Sequence, residues 1–321
     1  MDITANIPDS PWHAGEQALQ RSAHVLERMD MVGRKVIRDH LIEQHQGFYP
    51  LLPYMVLGAV DADDDVWASL LVGEPGFVQA EDARHLRLDI QADPADPAQT
   101  ALSEGAAIGL LGIDLRTRRR NRLNGRLQRV TRQSLLLTVE QSFGNCPKYI
   151  HQRQFAYARD PAVAGNGEVQ WLNELDDEAR NLIGDAATLF VATYVDLPDS
   201  GRQVDVSHRG GKPGFVRLNA DGSLTVPDFM GNQFFNTLGN MQLNPRAGLL
   251  FIDFASGDVL QMSGAARVDL DSADIVRFEG AERLWHFTPQ RIVRRRDASP
   301  LRWIDLPEGL SPYVEDTGQW S

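Results

Sequence analysis

Apolar positions along the chain follow two different spacings. Between residues 14 and 45, Leu19, Ala23, Leu26, Met29, Val32, Val36, Ile37 and Leu41 recur every three or four residues with charged residues between them. That is one face of a 3.6-residue period, and it predicts an amphipathic helix lying against the β unit that follows. From Tyr54 the runs shorten. Tyr54–Val60 and Val66–Val72 are apolar and separated by Asp61-Ala62-Asp63-Asp64-Asp65, which predicts two strands joined by an acidic turn. Further strands are expected over 84–90, 106–115, 122–130 and 134–141, an antiparallel unit with frequent turns. Residues 158–171 gather Gly, Asn, Asp and Pro without periodicity and read as a linker. Beyond it, Leu175, Ala179, Leu182, Ile183 and Ala186 mark a short helix, and 188–195 with 202–209 form another strand pair. Phe234, Phe235, Leu238 and Met241 share a helical face that Asn244-Pro245 ends. At the matching place the first half has only the Asp/Pro/Ala-rich stretch 92–105.

The two halves echo each other. Gly73-Glu74-Pro75-Gly76-Phe77-Val78 returns 138 positions later as Gly211-Lys212-Pro213-Gly214-Phe215-Val216, and Gly109-Leu110-Leu111-Gly112-Ile113-Asp114 returns 139 on as Gly248-Leu249-Leu250-Phe251-Ile252-Asp253. Val60-Asp61 is answered by Val195-Asp196. Self-similarity over several elements in one order predicts a duplicated unit. The expected division is a first domain over 1–157, a linker over 158–171 and a second domain over 172–321. Two copies point to a pseudo-dimer and not to a solenoid.

Composition narrows the partners. With 321 residues, 42% hydrophobic and 24% charged, the chain has material for two ordinary cores. Its 32 Lys and Arg against 44 Asp and Glu leave a formal charge of −12, which disfavours nucleic-acid and anionic-membrane partners. No apolar run approaches the roughly 18 residues that span a bilayer, and the start, Met1-Asp2-Ile3-Thr4-Ala5, lacks a basic segment leading into an apolar one. The single cysteine, Cys146, rules out an intrachain disulfide framework. A cytoplasmic protein is the expectation.

Candidate chemistry lies where the halves differ. At offset 138, Ser69-Leu70-Leu71 stands over Ser207-His208-Arg209, so apolar residues in one copy answer a basic strand end in the other. The strand Asp205-Val206-Ser207-His208-Arg209, facing a helix entered through Gly231-Asn232, offers an anion cradle of fixed charge, side-chain donors and free helix amides. The other reading is a solvated strand end. Arg116, Arg118, Arg119, Arg120 and Arg122 cluster around Asn121 and are readable as a solvated turn or as a patch facing an anion. RNA is opposed by the overall charge and by the lack of interleaved aromatics. Cys146 is readable as a nucleophile assisted by Lys148 or as an inert buried thiol. His40 and His45 are five apart, and no H-E-x-x-H or C-x-x-C occurs, so no metal site is expected. Rossmann and α/β-hydrolase signatures are absent as well.

On Val204-Asp205-Val206-Ser207-His208-Arg209, the segment 232–240, Asn244-Pro245-Arg246-Ala247-Gly248-Leu249-Leu250-Phe251, Val259-Leu260-Gln261-Met262-Ser263-Gly264 and Trp285-His286-Phe287-Thr288-Pro289, the second half resembles the pyridoxamine 5′-phosphate oxidase-like family of FMN-binding split barrels. The first half, through Asn145-Cys146-Pro147-Lys148-Tyr149-Ile150, is similar to its tandem flavoprotein branch. The resemblance implies a mainly β fold with flanking helices: two tandem FMN-binding split β-barrels forming an intrachain pseudo-dimer. It implies FMN phosphate held by Arg209 with Ser207 and His208, and by the helix start at Asn236 and Thr237. Those two residues stand where the family's oxidase carries an Arg-Lys pair, a departure that weighs against vitamin B6 oxidation. Arg119, Arg120 and Asn121 would form the other wall. The implied function is an FMN-dependent oxidoreductase acting on a small molecule by hydride or electron transfer. A separate electron donor would reduce it, no catalytic acid or base is assignable, and further homodimerisation is left open. The alternative is a non-catalytic flavin- or haem-binding sensor with His208 as an axial haem ligand.

Overall fold

Apolar runs broken by acidic and glycine-bearing turns fold as antiparallel ladders. At the first turn, Asp61 Oδ1 accepts the backbone N–H groups of Asp63 at 3.0 Å and Asp65 at 2.9 Å, fixing the reversal. The computed structural model describes residues 6–320, so Met1 to Ala5, read above for a leader, lie outside the described residues. The strands are β1 (Tyr54–Val60), β2 (Val66–Val72), β3 (Val78–Ala80), β4 (His85–Asp89), β5 (Ala107–Asp114), β6 (Arg119–Val130), β7 (Ser134–Gly144), β8 (Arg153–Tyr157) and β9 (Val169–Leu172). They continue with β10 (Thr188–Leu197), β11 (Gly201–Gly210), β12 (Arg217–Leu218), β13 (Leu224–Phe229), β14 (Arg246–Ile252), β15 (Val259–Asp269), β16 (Ala281–Arg295) and β17 (Leu301–Asp305). The α-helices are α1 (Ala14–Ser22), α2 (Leu26–Val36), α3 (Glu43–Gln46), α4 (Pro97–Thr100), α5 (Asp177–Asp185), α6 (Asn236–Leu243) and α7 (Pro312–Glu315).

One sheet runs β2-β1-β5-β6-β7-β4-β3 and the other β11-β10-β14-β15-β16-β13-β12, so the second repeats the strand order of the first. Register agrees as well. Val56 faces Leu70 and Leu111 as Phe190 faces His208 and Leu250. Among the described residues neither ladder closes into a ring, since β2 and β3 end one and β11 and β12 end the other. β9 adds to β16, and β17 pairs with β8 across the expected domain boundary.

Each sheet covers its own core, and a third apolar cluster lies between them. Val56, Ala68, Leu111, Phe190, Ala192, Val206 and Leu250 are all buried in that shared layer. Two glycines set its thickness. A Cβ on Gly109 of β5 would lie 2.8 Å from the Val204 carbonyl oxygen of β11, and one on Gly248 of β14 would run into the Val66 backbone of β2. Gly109 and Gly248 pair with Gly58 and Ala192, at matching registers of the two sheets.

Four expectations need correction. The stretch 14–45 is not one helix: it breaks after Ser22, where His24 takes a left-handed φ of 56°, and resumes as α2 and then α3. Nor does α1 lie against the first unit. Leu19 is buried in the second core, and Gly15 packs directly on the Gly239 backbone of α6, where any side chain on either residue would collide. The matching place in the first half also holds a helix. Asp96 caps the one-turn α4 by accepting the Ala98 N–H at 2.9 Å, a signal the Pro-rich composition obscured. The helix read through Phe234 starts later, at Asn236, because Gln233 and Phe235 both adopt φ of 64°. Phe234 instead joins Trp12, Met29 and Phe143 in a cluster that ties α2 to β7.

Gly248→Ala forces the two sheets apart at their closest crossing and is expected to cost about 1–3 kcal/mol in urea-denaturation measurements, the scale of an overpacked core. Gly184→Ala, on α5 with nothing within 4 Å of its would-be Cβ, is expected to be neutral or stabilising by up to about 1 kcal/mol.

Candidate functional site

Strand alternation divides β11 into two faces. Val204, Val206 and His208 turn to the layer between the sheets, whereas Asp205, Ser207 and Arg209 turn to the start of α6 and to β6 of the other sheet. On β6, Arg120 and Arg122 share a face for the same reason. The result is a solvent-open cleft of about 790 Å³ bordered by Arg120, Arg122, Lys148, Arg209 and Arg283, with Asp228 and Glu282 as carboxylates in its wall. Tyr149, Phe215, Phe229 and Phe235 supply aromatic surface.

Arg122 is the deepest cation, 5% exposed. Its Nη1 donates to Asn236 Oδ1 at 2.6 Å, its Nη2 donates to Ser207 Oγ, and its Nε lies 3.0 Å from Asp205 Oδ1 as an ion pair out of hydrogen-bond alignment. Thr237 Oγ1 donates to Ser207 Oγ at 2.8 Å. Behind this layer Asn236 Nδ2 donates to Glu16 Oε1 at 2.5 Å. Burial raises the Glu16 carboxyl above its ordinary range against the pull of His13. Burial also pushes the Arg120 guanidinium down to about 9, with the neighbouring Arg122 and Arg209 adding to the effect. Arg120 Nε donates to the Cys146 carbonyl at 2.7 Å.

Several donors at the cleft lack acceptors. Arg209 Nε lies 3.7 Å from Asp228 Oδ1 and makes no hydrogen bond, and its Nη1 reaches only the His208 carbonyl at 3.3 Å. Asn145 Nδ2 is likewise buried without a partner, although Asn145 Oδ1 accepts from Asn232 Nδ2 at 3.3 Å. His208 is 3% exposed, and neither ring nitrogen has a hydrogen-bond partner. Its ring packs edge-on against Phe190 at 5.6 Å. Burial, followed by Arg120, holds it well below the ordinary histidine range, so it is a neutral ring.

Of the residues singled out from sequence, Ser207, His208, Arg209, Gly231, Asn232, Asn236, Thr237 and Arg120 border the cleft. Asp205 lies beneath it, holding Arg122. Val206 is wholly buried in the layer between the sheets. Arg119 and Asn121 do not border it. The β6 alternation sends Arg119 to the Gln44 carbonyl at 2.7 Å and over the Phe48 ring, and Asn121 is buried on the same side. Their neighbour Arg122 takes the place expected of them, and the two-residue spacing from Arg120 was the signal for it. Glu16, Asn145 and Arg283 arrive from distant segments and had no local signal. Among the described residues there is no cluster of three or more His, Cys, Asp or Glu placed to hold a metal, and no helix is long and apolar enough to cross a membrane.

No family model matches the chain, and no curated protein does. Solved structures that it resembles include an FMN-binding protein from Syntrophomonas wolfei, at 10% identity over 38% of this chain and 95% of that one with a TM-score of 0.26. HutZ, described as a heme storage protein from Vibrio cholerae, aligns at 17% identity over 38% and 95%, TM-score 0.27. A general stress protein 26-related protein of the pyridoxinephosphate oxidase family from Clostridium acetobutylicum aligns at 14% identity over 41% and 94%, TM-score 0.25. These are likenesses of fold at most, and each spans less than half of this chain.

Buried histidines give the fold an acid limit. His45, lowered to about 4, His151 and His208 all have folded values depressed chiefly by burial. The unfolded chain therefore takes up protons below about pH 6.5 that the folded chain does not, so stability present above that pH falls as pH drops. The expected slope is up to about 1.4 kcal/mol per pH unit for each histidine. Because no hydrogen bond to its ring is lost, His208→Leu should remove one histidine's share between pH 6.5 and 5 without loss at pH 8, as read by urea unfolding across that range.

Proposed function

We propose that the chain is an FMN-dependent oxidoreductase built from two copies of one split-barrel unit arranged as an intrachain pseudo-dimer, with FMN bound in the cleft between them. The observation that carries this reading is the donor set. In a chain of net charge −12, five cationic side chains border one cleft, and Arg209 Nε and Asn145 Nδ2 have no acceptor there. Donors without acceptors fit a phosphate dianion, and the wall of Tyr149, Phe229 and Phe235 fits a planar ring system.

In this reading Arg209, Ser207 and Arg120 hold the phosphate, Arg122 supplies the fixed field behind it, and Thr237 with Asn236 keeps Arg122 and Ser207 in place. The charge absent from the start of α6, where Asn236 and Thr237 replace a basic pair, is delivered instead from β6 of the other half. Bound flavin would supply hydride and electron transfer, while the protein supplies position, charge and shelter. Vitamin B6 oxidation is not the favoured activity. The haem alternative requires a ring nitrogen facing an open cleft, and His208 turns its ring to Phe190 in the layer between the sheets.

Titration with FMN, followed by quenching of flavin fluorescence, should show saturable binding that Arg209→Ala weakens at least about tenfold, or about 1.4 kcal/mol. Unchanged affinity in that variant removes the assignment. Reduction of the bound flavin by a nicotinamide donor would support an enzyme, whereas bound flavin that no donor reduces would place the chain among non-catalytic carriers.

A further inference from the structure

The shared strand order gives the cleft a counterpart on the other side of the sheet-to-sheet layer. By register, Leu70, Leu71, Val259 and Gln261 occupy the positions that His208, Arg209, Arg120 and Arg122 occupy in the cleft. Arg295 takes the place of Asn145: Asn145 lies across from Arg120, and Arg295 lies across from Val259. The counterpart cavity is smaller, about 550 Å³.

Its polar groups satisfy one another. Arg295 Nη1 lies 3.0 Å from Asp96 Oδ2 and donates to Gln261 Oε1 at 3.0 Å, while Nη2 donates to Asp93. Gln261 Nε2 donates to the Ala68 carbonyl at 3.0 Å and to Asp96 Oδ1 at 3.1 Å, and Ser69 Oγ donates to Asp96. Asp96 is wholly buried. The 158–171 stretch crosses the mouth with Pro161, Val163 and Gly165, held by Arg159, which donates to Asp297 at 3.2 Å and to the Val163 carbonyl at 3.0 Å. None of these groups is among the buried side-chain atoms without a partner, whereas Arg122, Asn145, His208 and Arg209 of the cleft all contribute such atoms.

We infer that the two quasi-equivalent positions have opposite roles: the cleft around Arg209 is kept unsatisfied for one phosphorylated ligand per chain, and its counterpart is a self-satisfied joint in which Arg295 and its carboxylates replace a ligand. The identity of that ligand rests on the flavin reading, but the asymmetry does not. Like charges crowded at Arg120, Arg122 and Arg209 strain the ligand-free chain, so removing one relieves repulsion. Removing Arg295 instead strands Asp93 and the buried Asp96.

The test compares thermal melts of ligand-free Arg209→Gln and Arg295→Gln, with Arg295→Lys as the charge-retaining control, and counts FMN by equilibrium dialysis. Arg209→Gln should melt at or above the parent midpoint and Arg295→Gln roughly 5 °C or more below it, with Arg295→Lys recovering part of the loss. Should Arg295→Gln not fold at all, recovery of folded protein by Arg295→Lys carries the same information. Inorganic pyrophosphate should raise the midpoint of the parent but not of Arg209→Gln, and FMN should bind at one per chain. Two FMN per chain, or equal losses in Arg209→Gln and Arg295→Gln, overturns the inference. If no FMN binds, the flavin reading fails while the melts still decide: divergence upholds the asymmetry and convergence overturns it.

Discussion

The closeness of the two sheets depends on what Gly109 and Gly248 lack. Each stands where a strand of one sheet crosses the backbone of the other, and a single added carbon at either position would strike main chain, which has no rotamer through which to yield. Only at that spacing do Val56, Ala68, Phe190 and Val206 exclude water between the sheets. Burying apolar side chains of this size contributes about 1.5–3 kcal/mol each, so the layer gains its stability from the same approach that the glycines permit. The same approach sets Arg122 of β6 against Ser207 and Asp205 of β11. Stability and the site therefore share one geometric cause.

Around that contact the protein assembles a polar network from four segments distant in sequence. Glu16 on α1 accepts from Asn236 on α6, Asn236 accepts from Arg122 on β6, and Arg122 reaches Ser207 and Asp205 on β11. Buried charges of this kind are tolerable only when each is held by partners. The N-terminal helix is thus part of the site's foundation and not an external brace, and its place against α6 follows from the Gly15 and Gly239 contact. His13 at the start of α1 adds a bond to Asn240 at 2.9 Å, which fixes the angle of the crossing.

A shared strand order supplies the frame, and the side chains placed on it distinguish the two cavities. The two sheets agree in strand order and register down to the paired glycines, because those features are enforced by hydrogen-bond ladders and packing. Charge is not enforced in that way. At matching registers Leu71, Val259 and Gln261 stand where Arg209, Arg120 and Arg122 stand, so one cavity carries three arginines where the other carries apolar or neutral side chains.

The sequence by itself determined the strand pairs 54–60 with 66–72 and 188–195 with 202–209, the internal offsets and the existence of a basic strand end. All of these are local in period or repeated in text. It also carried Arg209, since a charged residue where the other half has Leu71 stands out. Tertiary structure alone decided that the helical stretch after residue 14 breaks at His24, that its first helix serves the second half, and that α4 forms in a Pro-rich segment. It also decided that Arg122, and not Arg119 or Asn121, enters the cleft. Strand phase determines which alternate arginine turns inward, and phase is fixed by pairing with neighbours that one strand's composition does not record. Glu16 and Asn145 reach the site across long sequence separations, and for them the packing of the two halves was the only information there was.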